Sequence, residues 1–157
     1  MTSLRFVALD GETVTSLRQG NPAAHGQTPE RQVSDGGGNP CRYCLDDIAG
    51  GAPMLVLAHR PFPAPQPYAE IGPIFIHAED CPRYDETAGK PGIFVRGEVI
   101  LMRGYGHDDR IVYGTGKVIP TTEIESRAAE LFQRPEIAYL HLRSSTNNCF
   151  QCRIERG

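Results

Sequence analysis

The chain has no tryptophan, and only six phenylalanines and six tyrosines among its 157 residues. Its core must therefore be mostly aliphatic. The material is sufficient, since 39% of residues are hydrophobic and this length buries a core without staples. No apolar run approaches the ~20 residues of a membrane-spanning helix. The opening "MTSLRFVALDGETV" lacks the basic start and apolar stretch of a signal peptide. Positive charge is not in excess either: 16 Lys and Arg stand against 19 Asp and Glu, a net charge of −3. These absences argue against a membrane protein and against a surface steered to nucleic acid or anionic lipid. Five cysteines form an odd set in a chain without an export signal. They point to a reducing, cytoplasmic setting in which thiols are free, metal-bound or redox-active. With 17 glycines and 13 prolines the chain is loop-rich, and its length suits a single domain over 1–157.

"LRFVAL" (4–9) predicts a short strand ended by Asp10-Gly11. Residues 11–38 show no periodicity and carry Pro22, Pro29 and Gly36-Gly37-Gly38. They predict a long mobile loop, suited to ordering against a partner. "PMLVLAHR" (53–60) and "IFIHA" (74–78) predict strands, separated by a five-proline segment that holds neither helix nor central ladder. Two strand-like runs follow in "GIFVRGEVILMRGYG" (92–106), and one or two in 110–119. In "TTEIESRAAELFQRP", Thr122 and Glu125 have capping-box spacing, and Ile124, Ala128, Leu131 and Phe132 form one helical stripe. "AYLHLR" and "CFQCRIER", joined by "SSTNN", close the chain as a strand pair. The class is α+β: an antiparallel or mixed sheet with one helix in the C-terminal half. "GTG" (114–116) and the Gly36–Gly38 run lack the setting of a phosphate loop.

The cysteines separate by backbone geometry. Residues i and i+3 of a strand point to opposite faces, so Cys149 and Cys152 in "CFQCRIER" cannot chelate together unless the chain turns there. Cys41 and Cys44 lie in "NPCRYCLDDIAGG", where Asn39-Pro40 predicts a tight turn into a short helix. His77 and Cys81 follow at H-x3-C spacing, just past a strand end. Cys41, Cys44, His77 and Cys81 thus offer four zinc ligands, enough for a closed tetrahedral site, with His59 as a substitute. Two other readings stay open. Free cysteine is often simply buried. A Cys41 in the first turn of a helix would also have its thiolate favoured, as in a redox pair.

The final hairpin carries a second constellation. A five-residue "SSTNN" loop would set Arg143 opposite Cys149 and His141 opposite Gln151. Phe150, Cys152 and Ile154 would then join Leu140 and Leu142 in the core. His141, Arg143 and Cys149 would share the polar face as a thiol-dependent catalytic set acting on a small anionic ligand. A solvated face bearing an incidental cysteine fits the same pattern. Arg60 and Arg103, each closing an apolar strand, would add positive charge for such a ligand.

"PCRYCL", "RPFPAPQPYAEIGPIFIHAEDCPRY" and "HLRSSTNNCFQCRIER" resemble the bacterial family known as domain of unknown function 1203. The similarity runs from Asn39 onwards and is most specific in "GPIFIHAEDC". The resemblance implies a bacterial cytosolic protein standing as one domain, and brings no activity or catalytic residue with it. It marks Cys41, Cys44, His77, Cys81, His141 and Arg143 as the positions to examine.

Overall fold

Apolar runs bounded by turn residues become strands along most of the chain. A computed structural model describes residues 3–157. β1 (Leu4–Val7), β5 (Val99–Tyr105), β6 (Lys117–Pro120), β7 (Tyr139–Arg143) and β8 (Phe150–Arg156) form a five-stranded sheet in the order β1-β8-β7-β5-β6. β2 (Glu30–Val33), β3 (Pro53–His59) and β4 (Gly72–His77) form a three-stranded sheet in that order. Every pairing within both sheets is antiparallel, and the short helices make the class α+β. The proline-rich 60–71 segment holds no helix or strand, as residues without an amide donor require. Among the described residues no helix is long and apolar enough to cross a membrane.

One face of the five-stranded sheet is closed by α3 (Ile124–Leu131). Ile124, Ala128, Leu131 and Phe132 bury their stripe against Met102, Leu140, Leu142, Cys152 and Ile154. The capping box does not form. The chain enters through a 3-10 turn at Thr121–Glu123, and Glu123 at the cap makes no side-chain bond. The buried Thr121 hydroxyl is turned instead to the Gly97 carbonyl. A second core lies between the three-stranded sheet and α1 (Gly11–Arg18), where Val14 and Leu17 meet Leu55, Leu57, Ile74 and Ile76.

Residues 11–38 are thus not a mobile loop. Asp10 caps α1, its Oδ1 accepting from the Thr13 amide at 2.7 Å. Gly20, at φ 88°, ends the helix. The Gly20 amide bonds the Leu17 carbonyl and the Asn21 amide bonds Ser16, the paired C-terminal bonds that favour glycine at that place. A 3-10 turn (Ala24–Gly26) and the edge strand β2 complete the segment. Its expected role as a mobile partner-binding arm therefore loses its basis. Two apolar positions in eight residues, and a strand exposed along its whole length, leave no periodic trace. The first strand-like run after residue 92 is likewise a single helical turn, α2 (Ile93–Arg96), set between Gly92 and Gly97 with Phe94 buried. The Thr115 of "GTG" is structural: its hydroxyl accepts from the Gly104 amide at 2.9 Å and donates to the Val112 carbonyl.

Candidate metal centre and a buried basic face

No helix follows Cys41. Residues 39–48 fold back as a tight knuckle, with Ile48 N–H donating to Asn39 O and Leu45 N–H to Cys41 O, each at 2.9 Å. Leu45 takes φ 54°, a left-handed conformation uncommon for a bulky residue. It is held by burial of the side chain in the α3 core. Pro40 therefore sets the approach to a turn and not the first turn of a helix. The helix terminus that would have favoured a redox thiolate at Cys41 is absent from the described structure. The knuckle is fastened to β4: Arg42 N–H donates to Phe75 O at 3.0 Å, and Cys41 makes a parallel bridge with Phe75. Cys41 then lies beside His77, whose amide donates to its Sγ at 3.3 Å.

This fastening brings the four candidate ligands together. The Cys41, Cys44 and Cys81 sulfurs and a His77 ring nitrogen all lie within 4.8 Å of one another. Cys41 Sγ and Cys81 Sγ are 3.9 Å apart, and Cys44 Sγ and His77 Nδ1 are 3.4 Å apart. Tetrahedral bonds of ~2.3 Å to sulfur and ~2.05 Å to nitrogen require edges of about 3.8 Å for S···S and about 3.6 Å for S···N. These two edges lie close to the values for a single four-coordinate ion, and all the others fall within 4.8 Å. The thiols are also electrostatically interdependent. Hydrogen bonding from Cys44, then from the backbone amides of Cys44, His77 and Tyr43, holds the Cys41 thiol down against its burial. The same Cys41 contact, with burial adding, pushes Cys44 up; burial and the Cys41 charge push Cys81 up. A thiolate at Cys41 thus disfavours thiolates at Cys44 and Cys81, an opposition that a bound cation would relieve.

Arg18, at the end of α1, serves the same cluster. Its Nη2 donates to Cys81 Sγ at 3.2 Å and its Nε to His77 O at 3.0 Å. Three thiolates around a divalent ion would carry one net negative charge, which the guanidinium would offset. His59, the substitute ligand, is elsewhere, 5.8 Å from the Phe150 ring. Cys152 is buried in the α3 core and Cys149 lies outside the metal cluster.

A family model described as "Protein of unknown function (DUF1203)" matches residues 38–156. The chain belongs to that family. No curated protein and no solved structure matches it. The matched DUF1203 span contains all four clustered ligands, whereas α1 and Arg18 precede it.

The other constellation of this DUF1203 chain takes a different form from the expected polar face. A bulge between Leu142 and Arg143 shifts the hairpin register, so Arg143 opposes Phe150, Leu142 opposes Cys152 and His141 opposes Arg153. One extra residue in β8 turns Phe150 away from the α3 core to the opposite face, beside His141. Cys149 falls in the loop before β8. The face is not solvated: His141 is 0% exposed and Arg143 2%. The imidazole lies between Arg103 and Arg153 on neighbouring strands, within 5.4 Å of the rings of Phe62, Tyr105, Tyr139 and Phe150. Burial, followed by the Arg143, Arg153 and Arg103 charges, holds its pKa well below the usual imidazole range. Arg143 Nη2 donates to His141 Nδ1 at 2.9 Å, which leaves the ring proton on Nε2. The Cys149 thiol donates to Asn147 O at 3.9 Å. Arg143 and Cys149 line one cavity, and His141 lines the next. Glu70 is the participant that sequence reasoning missed: its carboxylate accepts from Arg103 and forms an ion pair with Arg143. A lone glutamate in a proline-rich stretch carries no signal of that contact.

Proposed function

We propose that this DUF1203 protein binds one structural zinc ion through Cys41, Cys44, His77 and Cys81, within a single domain working in the bacterial cytoplasm. The observation that carries the reading is the pair of 3.9 and 3.4 Å edges, which match a tetrahedral ion bound by sulfur and imidazole. Four protein ligands leave no open coordination position, so the ion's role is to hold structure and not to activate water. Three thiolates with one imidazole favour zinc over magnesium or calcium, which take oxygen ligands. The ion would tie the Cys41 knuckle to the end of β4, and through Arg18 to α1. Neither nucleic acid nor a membrane surface is part of this reading.

Metal analysis of protein purified without added zinc tests it. One equivalent of zinc per chain is expected, with a lower thermal midpoint after chelation. Cobalt substitution should show the intense thiolate-to-metal absorption of a tetrahedral site. A metal content near zero, or a chelator that leaves the midpoint unchanged, would remove the proposal.

A further inference from the structure

The face of the five-stranded sheet turned away from α3 holds more guanidinium than carboxylate. Arg143 and Arg103 both direct a terminal nitrogen at one atom, Glu70 Oε1, at 2.9 and 3.0 Å. Among the described residues no other carboxylate pairs with either. Arg42, 3% exposed, lies nearby, with Nε donating to Phe150 O and Nη1 to Pro40 O. It forms no ion pair among the described residues. Two guanidinium groups therefore share one carboxylate, with Arg42 unpaired nearby, and burial of unbalanced charge is costly.

The donors are also incompletely met. Arg143 uses Nη2 on His141 and Nη1 on Glu70 and Asn148 O. Among the described residues its buried Nε has no partner, and neither has His141 Nε2. A buried donor left unpaired costs about 1–3 kcal/mol. Such groups occur where a ligand or water completes the set.

A cavity of about 210 Å³ adjoins Arg143, lined also by Glu70, His59, Asn147, Cys149 and Phe150 among others, while His141 lines the neighbouring cavity. It is smaller than the ~300–1,000 Å³ of drug-sized sites, so its occupant has few atoms. Glu70 closes one side of this cavity. It comes from the proline-rich segment and its side chain is 42% exposed, so it can swing to water once another carboxylate takes its place.

We propose that this cavity binds a small organic acid, whose carboxylate takes the place on Arg143 that the Glu70 carboxylate holds in this structure. Glu70 shows that the two guanidinium groups accept a carboxylate there. It offers both of them the same oxygen, an arrangement weaker than a bidentate fork. An entering acid meets the Asn147 amide and the Cys149 thiol on the cavity wall, with the Phe150 ring against its apolar end. Glu70 then acts as an internal competitor that sets how much acid is needed. None of the four thiol-cluster residues lines this cavity.

Acetate and succinate are titrated into the full chain at constant ionic strength, with chloride and inorganic phosphate as comparisons. Occupancy is read from the rate at which iodoacetamide, a neutral reagent, alkylates Cys149, resolved by peptide mass spectrometry. Saturable protection by acetate or succinate is expected in the wild type, at concentrations at least tenfold higher than in Glu70→Gln. Arg143→Lys should weaken protection tenfold or more. If Glu70→Gln or Arg143→Lys does not fold, the wild-type titration decides alone. Protection that fails to saturate, equal affinities in wild type and Glu70→Gln, or phosphate protecting as well as the carboxylates would each overturn the proposal.

Discussion

The thiol cluster and the arginine–imidazole face lie at opposite extremes of how a chain encodes chemistry. Cys41 and Cys44 are brought together by a local turn, and His77 and Cys81 by another. A few backbone-amide links, Arg42 to Phe75, Tyr84 to Tyr43 and the His77 amide to Cys41 Sγ, join the halves. The basic face is assembled from β5, β7 and β8 and the proline-rich segment, and its composition depends on a single bulge. Short-range geometry is readable from spacing; cross-strand geometry changes sides with one residue. On the proposed reading the first region would act as a staple, and the second is a cavity whose lining depends on the whole sheet.

The largest expected effect comes from breaking the staple. Replacing Cys44 or Cys81 with serine should abolish stoichiometric zinc. With metal at a thousandfold above its dissociation constant, binding contributes about 4 kcal/mol. Losing it should lower the thermal midpoint by roughly 8–16 °C at this chain length. Scanning calorimetry of the variants and of the chelated wild type should agree. A variant that keeps its zinc or its midpoint would make the cluster an ordinary group of buried thiols.

Protonation attacks the other region. Burial, with Arg42 and Arg60 adding, holds His59 down to about 4, and His141 lies well below its usual range for the causes given above. In the unfolded chain both titrate near 6.5. Between those values the unfolded state binds more protons, so stability is full above about pH 6.5 and is lost as pH falls through the folded values. The slope is at most about 1.4 kcal/mol per pH unit for each histidine. From pH 6.5 to 5, His59 alone should contribute a loss of about 1.5 kcal/mol. Urea unfolding of wild type and His59→Gln at both pH values isolates that share from the loss of metal, which acid also promotes. Parallel losses in the two proteins would show that His59 is not neutral and buried.

A smaller effect links the staple to a residue outside the matched family span. Arg18→Leu removes the guanidinium beside Cys81 and His77. Changes to groups that support metal ligands commonly cost 10–100-fold in affinity. A competition titration with a zinc chelator should show a loss in that range, without loss of stoichiometry. Unchanged affinity would mean that the contact only positions α1.

The pattern of what was legible follows the same division. The α3 stripe, most of the strands, the core placement of Cys152 and the local pairs Cys41–Cys44 and His77–Cys81 each rest on spacings of a few residues. α1 was missed although both its punctuation marks were present, Asp10 before it and Gly20 after it, because Val14 and Leu17 alone make no visible stripe. Phe150 was placed in the wrong core because a bulge has no signature in "CFQCRIER". The partnership of Glu70 with two arginines joins residues 33 or more positions apart, and only the folded sheet brings them together.

The smallest expected effect tests whether α1 belongs to the staple. Asp10→Ala removes the acceptor for the Thr13 amide, and losing such a cap typically costs ~1 kcal/mol. The helix has eight residues, too short to persist without its cap and its packing. Fraying at Asp10 propagates towards Arg18, one helix length away, and loosens the cation beside Cys81. Asp10→Ala should therefore lower the midpoint by roughly 2–4 °C and also speed zinc extraction by a chelator. The double variant Asp10→Ala/Arg18→Leu should extract no faster than Arg18→Leu alone, because the cap acts on the metal only through that guanidinium. Additive rates would place the influence of α1 on the cluster in its packing against the three-stranded sheet.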